Sequence, residues 1–385
     1  MRIGIEGQRL FRTKKHGMDM VALELIRELQ QIDKENNYFI YVKPDEDRSC
    51  LKETDNFKIV ELEGGSYPQW EQFALPKRAR EDKCDLLHCT SNTAPRKPGM
   101  PLVVTLHDII YMEKSYMGIV AGNGTPYQKF GNVYRRWIVP KVVKTSDILI
   151  TVSEFEKQRI DSFFGLNGDT TRAVYNGVST HFLPVTDEEV LKSTKTKYGL
   201  PDRFFFFLGN TDPKKNTRGA LKAFSDFRKQ NNDDYKLVML DYDETELMKL
   251  LNEIGDRTLR KHIILTGYVV NTDLPAIYSL CSVFLYPSLR ESFGIPMLEA
   301  MRSGAPVITS DTSSMPEVSG GAGLIIDPFK PEQISEAMLK LHDNEALKQE
   351  LREKGFKQAE KFSWKAMAEH VLKIYQEVAQ KQEAL

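Results

Sequence analysis

The sequence predicts an α/β protein made of two doubly wound, parallel-sheet domains in series. Three observations predict it. Short apolar runs recur along the chain, several of them continuous rather than alternating, as strands buried on both faces require. Amphipathic stretches of helical spacing lie between many of them. The series of runs stops once, near residues 180–201, and then starts again. At about 150 residues per domain, 385 residues suffice for two to three.

The first series reads as strands at 2–5, 39–42, 85–88, 102–106 and 147–152. After Gly17, the residues Val21, Leu25, Ile26 and Leu29 fall on one helical face. The break carries Pro184, a charged helix at 187–197 and the punctuating Tyr198-Gly199-Leu200-Pro201. The second series reads as strands at 204–208, 236–240, 262–266, 283–286, 306–309 and 324–326. Met367, Val371, Ile374 and Val378 then mark a last helix, 363–380, which no strand follows. The expected boundaries are 1–185, 186–362 and a C-terminal helical piece, 363–385. There is no internal repeat and no low-complexity tract.

Composition narrows the function. The 53 basic and 54 acidic residues leave a net charge of −1, which argues against a nucleic-acid binder with its basic footprint. Four scattered cysteines (Cys50, Cys84, Cys89, Cys281) form neither a disulfide framework nor a CxxC pair, so a reducing, cytoplasmic setting is expected. The N-terminus starts directly as a strand and lacks a signal-peptide pattern. No apolar run reaches the roughly 18–20 residues of a transmembrane helix. Asn123-Gly124-Thr125 matches a glycosylation acceptor, which a cytoplasmic chain would leave idle. GxGxxG after strand one, GxxxxGK[ST] and GxSxG are all missing, which removes the main support for a dinucleotide dehydrogenase, a P-loop ATPase and an α/β-hydrolase. No clustered carboxylate pair of the DxD kind stands out on a loop in either half, so no tightly held metal is expected.

Three places could carry chemistry. The first is 291–300, ESFGIPMLEA, between the strand at 283–286 and a helix that Pro296 helps to open. A glycine-containing turn ahead of a helix offers free N–H groups and the positive end of a dipole to a phosphate. Glu291 stands before that anion site, and Glu299, inside the helix, could accept both hydroxyls of a ribose. A helix-capping turn with one solvated glutamate fits the same residues equally well. The second is 209–216, GNTDPKKN, after the very apolar strand at 204–208. Lys214 and Lys215 there would neutralise a diphosphate at the carboxyl end of a parallel strand, although a lone KK is more often solvated. The third is Leu106-His107-Asp108, also at a strand's carboxyl end. His107 there would position a substrate or act as a base, or simply bond a neighbouring backbone group. His88 has a similar place and a weaker claim, and His16-Gly17 lets backbone approach a ligand closely.

The E-x7-E element RESFGIPMLEAM resembles the signature of the retaining GT-B glycosyltransferases of family four. Further similarities follow in order: HGMD near Gly17, TLHD at 105–108, TVSEF at 151–155, VYNGV at 174–178, GNTDPKKN at 209–216, TGYV at 266–269 and FSW at 362–364. Each piece is weak alone; the ordered set is specific and spans essentially the whole chain. The resemblance implies two Rossmann-like domains facing across a cleft, the first holding the acceptor and the second a nucleotide diphosphate sugar. The final helix crosses back to the first domain. It further implies that Glu299 binds the donor ribose, that Glu291 contacts the transferred sugar, and that Ser292, Phe293, Gly294 and Ile295 meet phosphate or sugar oxygens. Lys215 matches the diphosphate lysine, Tyr268 and Val269 line the nucleobase pocket, and Gly17 lies on the donor side. His107, with His16 and Asp108, belongs to the acceptor side. Asn210 stands where many members carry an arginine, so Lys214 is expected to help hold the diphosphate.

The resemblance implies a metal-independent hexosyltransferase without cofactor, acting on a glycan or lipid-linked acceptor. A mannosyltransferase-like style makes GDP-mannose the first expected donor, with UDP-sugars next. A sugar-nucleotide 2-epimerase of the same architecture and a non-catalytic subunit are the alternatives. The segment 127–144 mixes Lys129, Arg135, Arg136, Lys141 and Lys144 with Tyr134 and Trp137. It reads either as a peripheral contact with an anionic membrane or as a helix packed on the first sheet, with Pro140 expected to interrupt it.

Overall fold

A computed structural model of the chain describes residues 1–113, 126–231 and 233–383. The Asn123-Gly124-Thr125 site lies outside the described residues. Contacts divide the chain into two compact units, Met1–Gly177 with Trp364–Leu385, and Val178–Ser363. The division falls ahead of the expected 185/186 because the connecting stretch bonds into the second unit. Val178 N–H donates to Phe362 O, the Phe182 ring lies 6.2 Å from that of Tyr278, and Val185 N–H donates to Ser279 Oγ.

The first unit holds a seven-stranded, wholly parallel sheet of order β3-β2-β1-β4-β5-β6-β7. Its strands are β1 Arg2–Glu6, β2 Asn37–Val42, β3 Phe57–Glu61, β4 Leu86–Cys89, β5 Leu102–Thr105, β6 Ile148–Thr151 and β7 Thr171–Ala173. The two strands the apolar pattern does not reveal, β3 and β7, are the two edges. β3 buries only Phe57 and Val60 and carries Lys58 and Glu61 exposed, and β7 is three residues of Thr, Arg and Ala, so neither reads as a continuous apolar run. Helix Gly17–Ile32 buries Val21, Leu25, Ile26 and Leu29, as the spacing predicts.

Helix Trp364–Glu383 packs against helix Gly17–Ile32 within this unit. It buries Met367, Val371, Ile374, Tyr375 and Val378, each contributing about 1.5–3 kcal/mol of apolar burial. The Tyr375 hydroxyl lies 2.7 Å from His88 Nδ1, while His88 Nε2 lies 2.8 Å from Thr105 Oγ1. His88 therefore ties the last helix to the sheet. Its complete burial lowers its pKa to about 3, which keeps the ring neutral.

Helix Pro126–Thr145 runs through Pro140 without a break, contrary to expectation. Proline forfeits one backbone hydrogen bond, but Ile138, Val139, Val142 and Val143 on both sides of it are buried in the first unit's core and hold the helix in place.

The second unit holds a six-stranded parallel sheet of order β10-β9-β8-β11-β12-β13. Its strands are β8 Phe204–Phe207, β9 Lys236–Met239, β10 Ile263–Leu265, β11 Val283–Tyr286, β12 Val307–Ser310 and β13 Leu324–Ile326. All four phenylalanines of β8 are buried, as a central parallel strand demands. Strand order reverses between β1 and β4 in one sheet and between β8 and β11 in the other. At such switch points, loops leaving the carboxyl ends diverge and open a ligand crevice.

Candidate functional site

In the second unit the β8 and β11 loops meet at the switch point. The loop after β8 is built from side-chain caps. Asn210 Oδ1 accepts from Asp212 N–H at 2.9 Å, and Asp212 Oδ1 accepts from Lys214 N–H at 3.1 Å. Thr217 Oγ1 donates to Asn210 O at 2.8 Å. Asn216, in the left-handed region at φ 58°, sends its amide to Pro287 O at 3.0 Å and Pro328 O at 2.7 Å. Leu289 N–H donates to Lys214 O at 2.7 Å, which joins the β8 loop to the β11 loop backbone to backbone.

That junction brings together residues the sequence separates widely. Lys215 Nζ lies 2.6 Å from Glu291 Oε1 and 3.4 Å from the Tyr286 hydroxyl. Lys214 is half-buried, its Nζ 3.8 Å from Asp212 Oδ2. Tyr286 was not a candidate from sequence, although its place as the last residue of β11 is a usable signal. Asn210, the residue in place of an arginine, uses its side chain to shape the loop.

The β11 loop is propped from beneath by the turn after β12. Ser313 Oγ accepts from Glu291 N–H at 3.0 Å, and Ser314 Oγ donates to Glu291 O at 3.0 Å and to Phe293 O at 3.2 Å. Phe293 turns its ring into the core against Phe362, 5.7 Å between centroids, so only its backbone faces the loop. Gly294 caps helix Ile295–Arg302 at φ 99°. A Cβ there would stand 2.5 Å from Met315 Cε. The dihedral requires glycine, and a Cβ would also force the end of the Met315 side chain to move. Ser292, Gly294 and Ile295 thus lead into the start of this helix, where Pro296 has no N–H and the Met297 N–H donates to Gly294 O at 3.1 Å.

Glu299 lies half-buried on the same helix, with the Tyr278 hydroxyl 3.5 Å from its Oε2. Burial pushes its carboxyl up to about 7, against the pull of that hydroxyl. Tyr268 and Val269 follow β10 at the same end of the sheet. Tyr268 is 76% exposed and Val269 is buried. A cavity of about 420 Å³ opens beside the β8 loop, walled by Asn210, Thr217, Tyr242, Leu289 and Phe329 among others; Lys215, Glu291 and Glu299 take no part in it.

In the first unit, His107 follows β5 and is buried. Its N–H donates to Asn92 Oδ1 at 2.6 Å, and its Nε2 lies 2.9 Å from Thr90 O. Nε2 therefore carries the ring proton, since a carbonyl only accepts. Burial lowers the His107 pKa, favouring the neutral ring. Asp108 Oδ1 accepts from Ile110 N–H at 3.1 Å, a capping role the sequence position does not announce. His16 is exposed and caps helix Gly17–Ile32, its N–H donating to Asp19 Oδ2 at 2.9 Å. A Cβ on Gly17 would meet nothing within 4 Å, so that helix start is open on this unit's surface.

Two family models match, one to each half of the chain. Glycosyltransferase Family 4 matches residues 16–182, and Glycosyl transferases group 1 matches residues 192–358. The chain belongs to the group 1, family-four glycosyltransferases of GT-B fold. It is similar to O-antigen chain mannosyltransferase B of Escherichia coli, 32% identical over 234 residues, covering 60% of this chain and 61% of that protein. It is also similar to the serotype-specific mannosyltransferase WbdA of Escherichia coli, 31% identical over 222 residues, which is 57% of this chain and 27% of WbdA. The match thus spans less than two thirds of either relative. Among solved structures, a glycosyltransferase from Rickettsia africae superposes with a TM-score of 0.73 at 17% identity, covering 98% of both chains. Anabaena HepE, solved with UDP and glucose, gives 0.72 at 14% identity over 98% of this chain and 99% of that one. These two likenesses carry the GT-B fold.

Proposed function

We propose that this group 1 glycosyltransferase moves a hexose from a nucleotide diphosphate sugar to a hydroxyl of a glycan or lipid-linked acceptor. GDP-mannose is the proposed donor. The observation that carries the reading is the Lys215–Glu291 pair beside the Gly294-capped helix: a cation, a carboxylate and a helix N-terminus at one switch point. The named relatives, mannosyltransferases both, support mannose over other hexoses.

In this reading the diphosphate lies against Lys214, Lys215 and the N-terminus of helix Ile295–Arg302. Glu291 contacts the sugar, and Glu299 accepts the two ribose hydroxyls. As the bond from the anomeric carbon to the phosphate oxygen breaks, positive charge spreads over the sugar ring. Negative charge grows on the departing nucleoside diphosphate. The two lysines and the helix N–H groups, fixed before the reaction, stabilise that charge without reorganising. The acceptor hydroxyl attacks the face the phosphate leaves, its proton passes to the leaving phosphate, and configuration is retained. In the first unit His107, neutral and fixed by Thr90, orients the acceptor and does not act as a free base. No step calls on a metal.

The exposed side of helix Pro126–Thr145 supports a peripheral membrane contact. Phe130 and Trp137 are exposed there, Lys141 Nζ sits 3.4 Å over the Trp137 ring, and the Arg96 guanidinium lies 5.5 Å from it. Aromatic rings flanked by cations suit an anionic headgroup layer. Among the described residues, no helix is long and apolar enough to cross a membrane.

The deciding experiment is radiolabelled sugar transfer from GDP-mannose to lipid extract or oligomannose, with wild type, Lys215→Ala and Glu291→Gln. Transfer by wild type alone supports the reading. Equal transfer by all three would overturn the assignment of the pair.

A further inference from the structure

Glu71 is a wholly buried carboxylate for which the proposed mechanism has no use. It sits in the widened helical turn Trp70–Ala74, where Leu75 N–H reaches back to Trp70 O. Widened turns of this kind recur at functional sites. Glu71 Oε1 accepts from the Tyr134 hydroxyl at 2.5 Å and from Gln72 Nε2 at 2.9 Å. Its Oε2 accepts from Thr93 Oγ1, and the Tyr67 hydroxyl lies 2.5 Å from that same Oγ1. Tyr134 belongs to helix Pro126–Thr145; Thr93 ends loop 90–93, which follows β4 and is buried throughout.

That loop is what holds His107. Thr90 O bonds the imidazole Nε2, and Asn92 Oδ1 bonds the His107 N–H. To do so, Asn92 takes the left-handed conformation, φ 68°, with its own N–H on Thr105 O at 3.0 Å. Asparagine tolerates that region better than other non-glycine residues, and here its side chain and its N–H both bond the segment that ends in His107. Burying a carboxylate also costs stability, and an apolar side chain of similar size would fill this space more favourably.

We propose that Glu71 is a positioning residue for His107: it anchors loop 90–93 to helix Pro126–Thr145, and the loop fixes the imidazole. This rests on the acceptor-side reading of His107. The path is Tyr134, Glu71, Thr93, Asn92 and then His107, all within the first unit. The same helix carries Trp137 and Lys141 on its exposed side.

The test uses full-length protein with 15N-labelled histidine. Thr93→Val removes only the hydroxyl between Glu71 and the loop, and Glu71→Gln keeps shape while removing charge. His107→Asn assigns the His107 signal among the seven histidines. Three readouts are taken: solvent exchange of the His107 Nε2 proton, turnover of GDP-mannose (by water where no acceptor is added), and GDP affinity. The expected result for Thr93→Val is roughly tenfold faster proton exchange and a roughly tenfold lower kcat, with GDP affinity unchanged. Glu71→Gln should show the same change to a smaller degree. A folded Thr93→Val protein with unaltered His107 exchange would overturn the proposal. If His107→Asn keeps full turnover, the acceptor-side reading fails instead, and the exchange measurement still decides whether Glu71 positions the ring.

Discussion

The Lys215 ammonium and the Glu291 carboxylate meet at 2.6 Å, 76 residues apart in sequence and both mostly buried. They meet because β8 and β11 are hydrogen-bonded neighbours, so the loops leaving them share one crevice. Each charge is the other's main compensation. Removing Lys215 alone takes this cation from the mostly buried carboxylate, at a cost of about 2 kcal/mol. Lys215→Ala should therefore lower the second unit's melting temperature by roughly 5 °C. The double variant Lys215→Ala/Glu291→Gln should recover most of that loss but none of the sugar transfer. Calorimetry beside a transfer assay checks both halves.

Glu299 gives a pH dependence whose sign follows from its environment. Burial raises its carboxyl from the ordinary 4.5 to about 7. A raised carboxyl pKa means the folded state holds the proton more tightly than the unfolded chain. The group's contribution therefore turns unfavourable as pH rises from about 4.5 to about 7, by at most about 3 kcal/mol. Glu299→Gln should stabilise the protein at pH 8 and leave it unchanged at pH 4. Ribose hydroxyls favour the ionised carboxylate, so GDP should bind wild type more tightly at pH 8 than at pH 6 and displace a proton on binding near pH 6. Calorimetric titration in two buffers of different ionisation enthalpy reads that proton, and Glu299→Gln should release none.

Gly294 is the joint between the Glu291 loop and helix Ile295–Arg302. Gly294→Ala places a methyl 2.5 Å from Met315 Cε in a left-handed backbone. The strain should cost about 1–3 kcal/mol. Adding Met315→Ala removes the clash but not the dihedral strain, so the pair should recover only part of the stability. Chemical denaturation of the single and double variants measures the split.

Much of this was legible in the sequence, for identifiable reasons. Strands such as Phe204–Phe207 are buried on both faces and so read as unbroken apolar runs. The edge strand Phe57–Glu61 is half exposed and its pattern dissolves. Lys215, Glu291 and Glu299 stand in linear motifs and so can be picked out as candidates. Tyr286, Ser313 and Tyr278 reach the site from other segments, and nothing local marks them. Glu71 was invisible because its meaning lies in Thr93 and Tyr134, which only the fold brings to it. Pro140 misled because the local rule against proline in helices was overridden by the buried residues around it.

The exposed Trp137–Lys141 side predicts membrane binding. The protein should float with vesicles rich in phosphatidylglycerol and stay behind with phosphatidylcholine. Lys141→Glu/Lys144→Glu should cut binding at least about tenfold, at about 1 kcal/mol per cation. Salt at about 0.5 M should weaken wild-type binding through screening. Equal flotation of wild type and variant would remove the membrane reading.

The most direct test of the donor site is a thermal-shift panel of GDP, UDP, ADP and their sugars on wild type and Glu299→Ala. A ligand at about 100 times its dissociation constant stabilises by about 2.7 kcal/mol, a shift of several degrees. GDP and GDP-mannose should stabilise wild type most and Glu299→Ala far less. No shift with any nucleotide, or equal shifts in both proteins, would contradict the donor-site assignment.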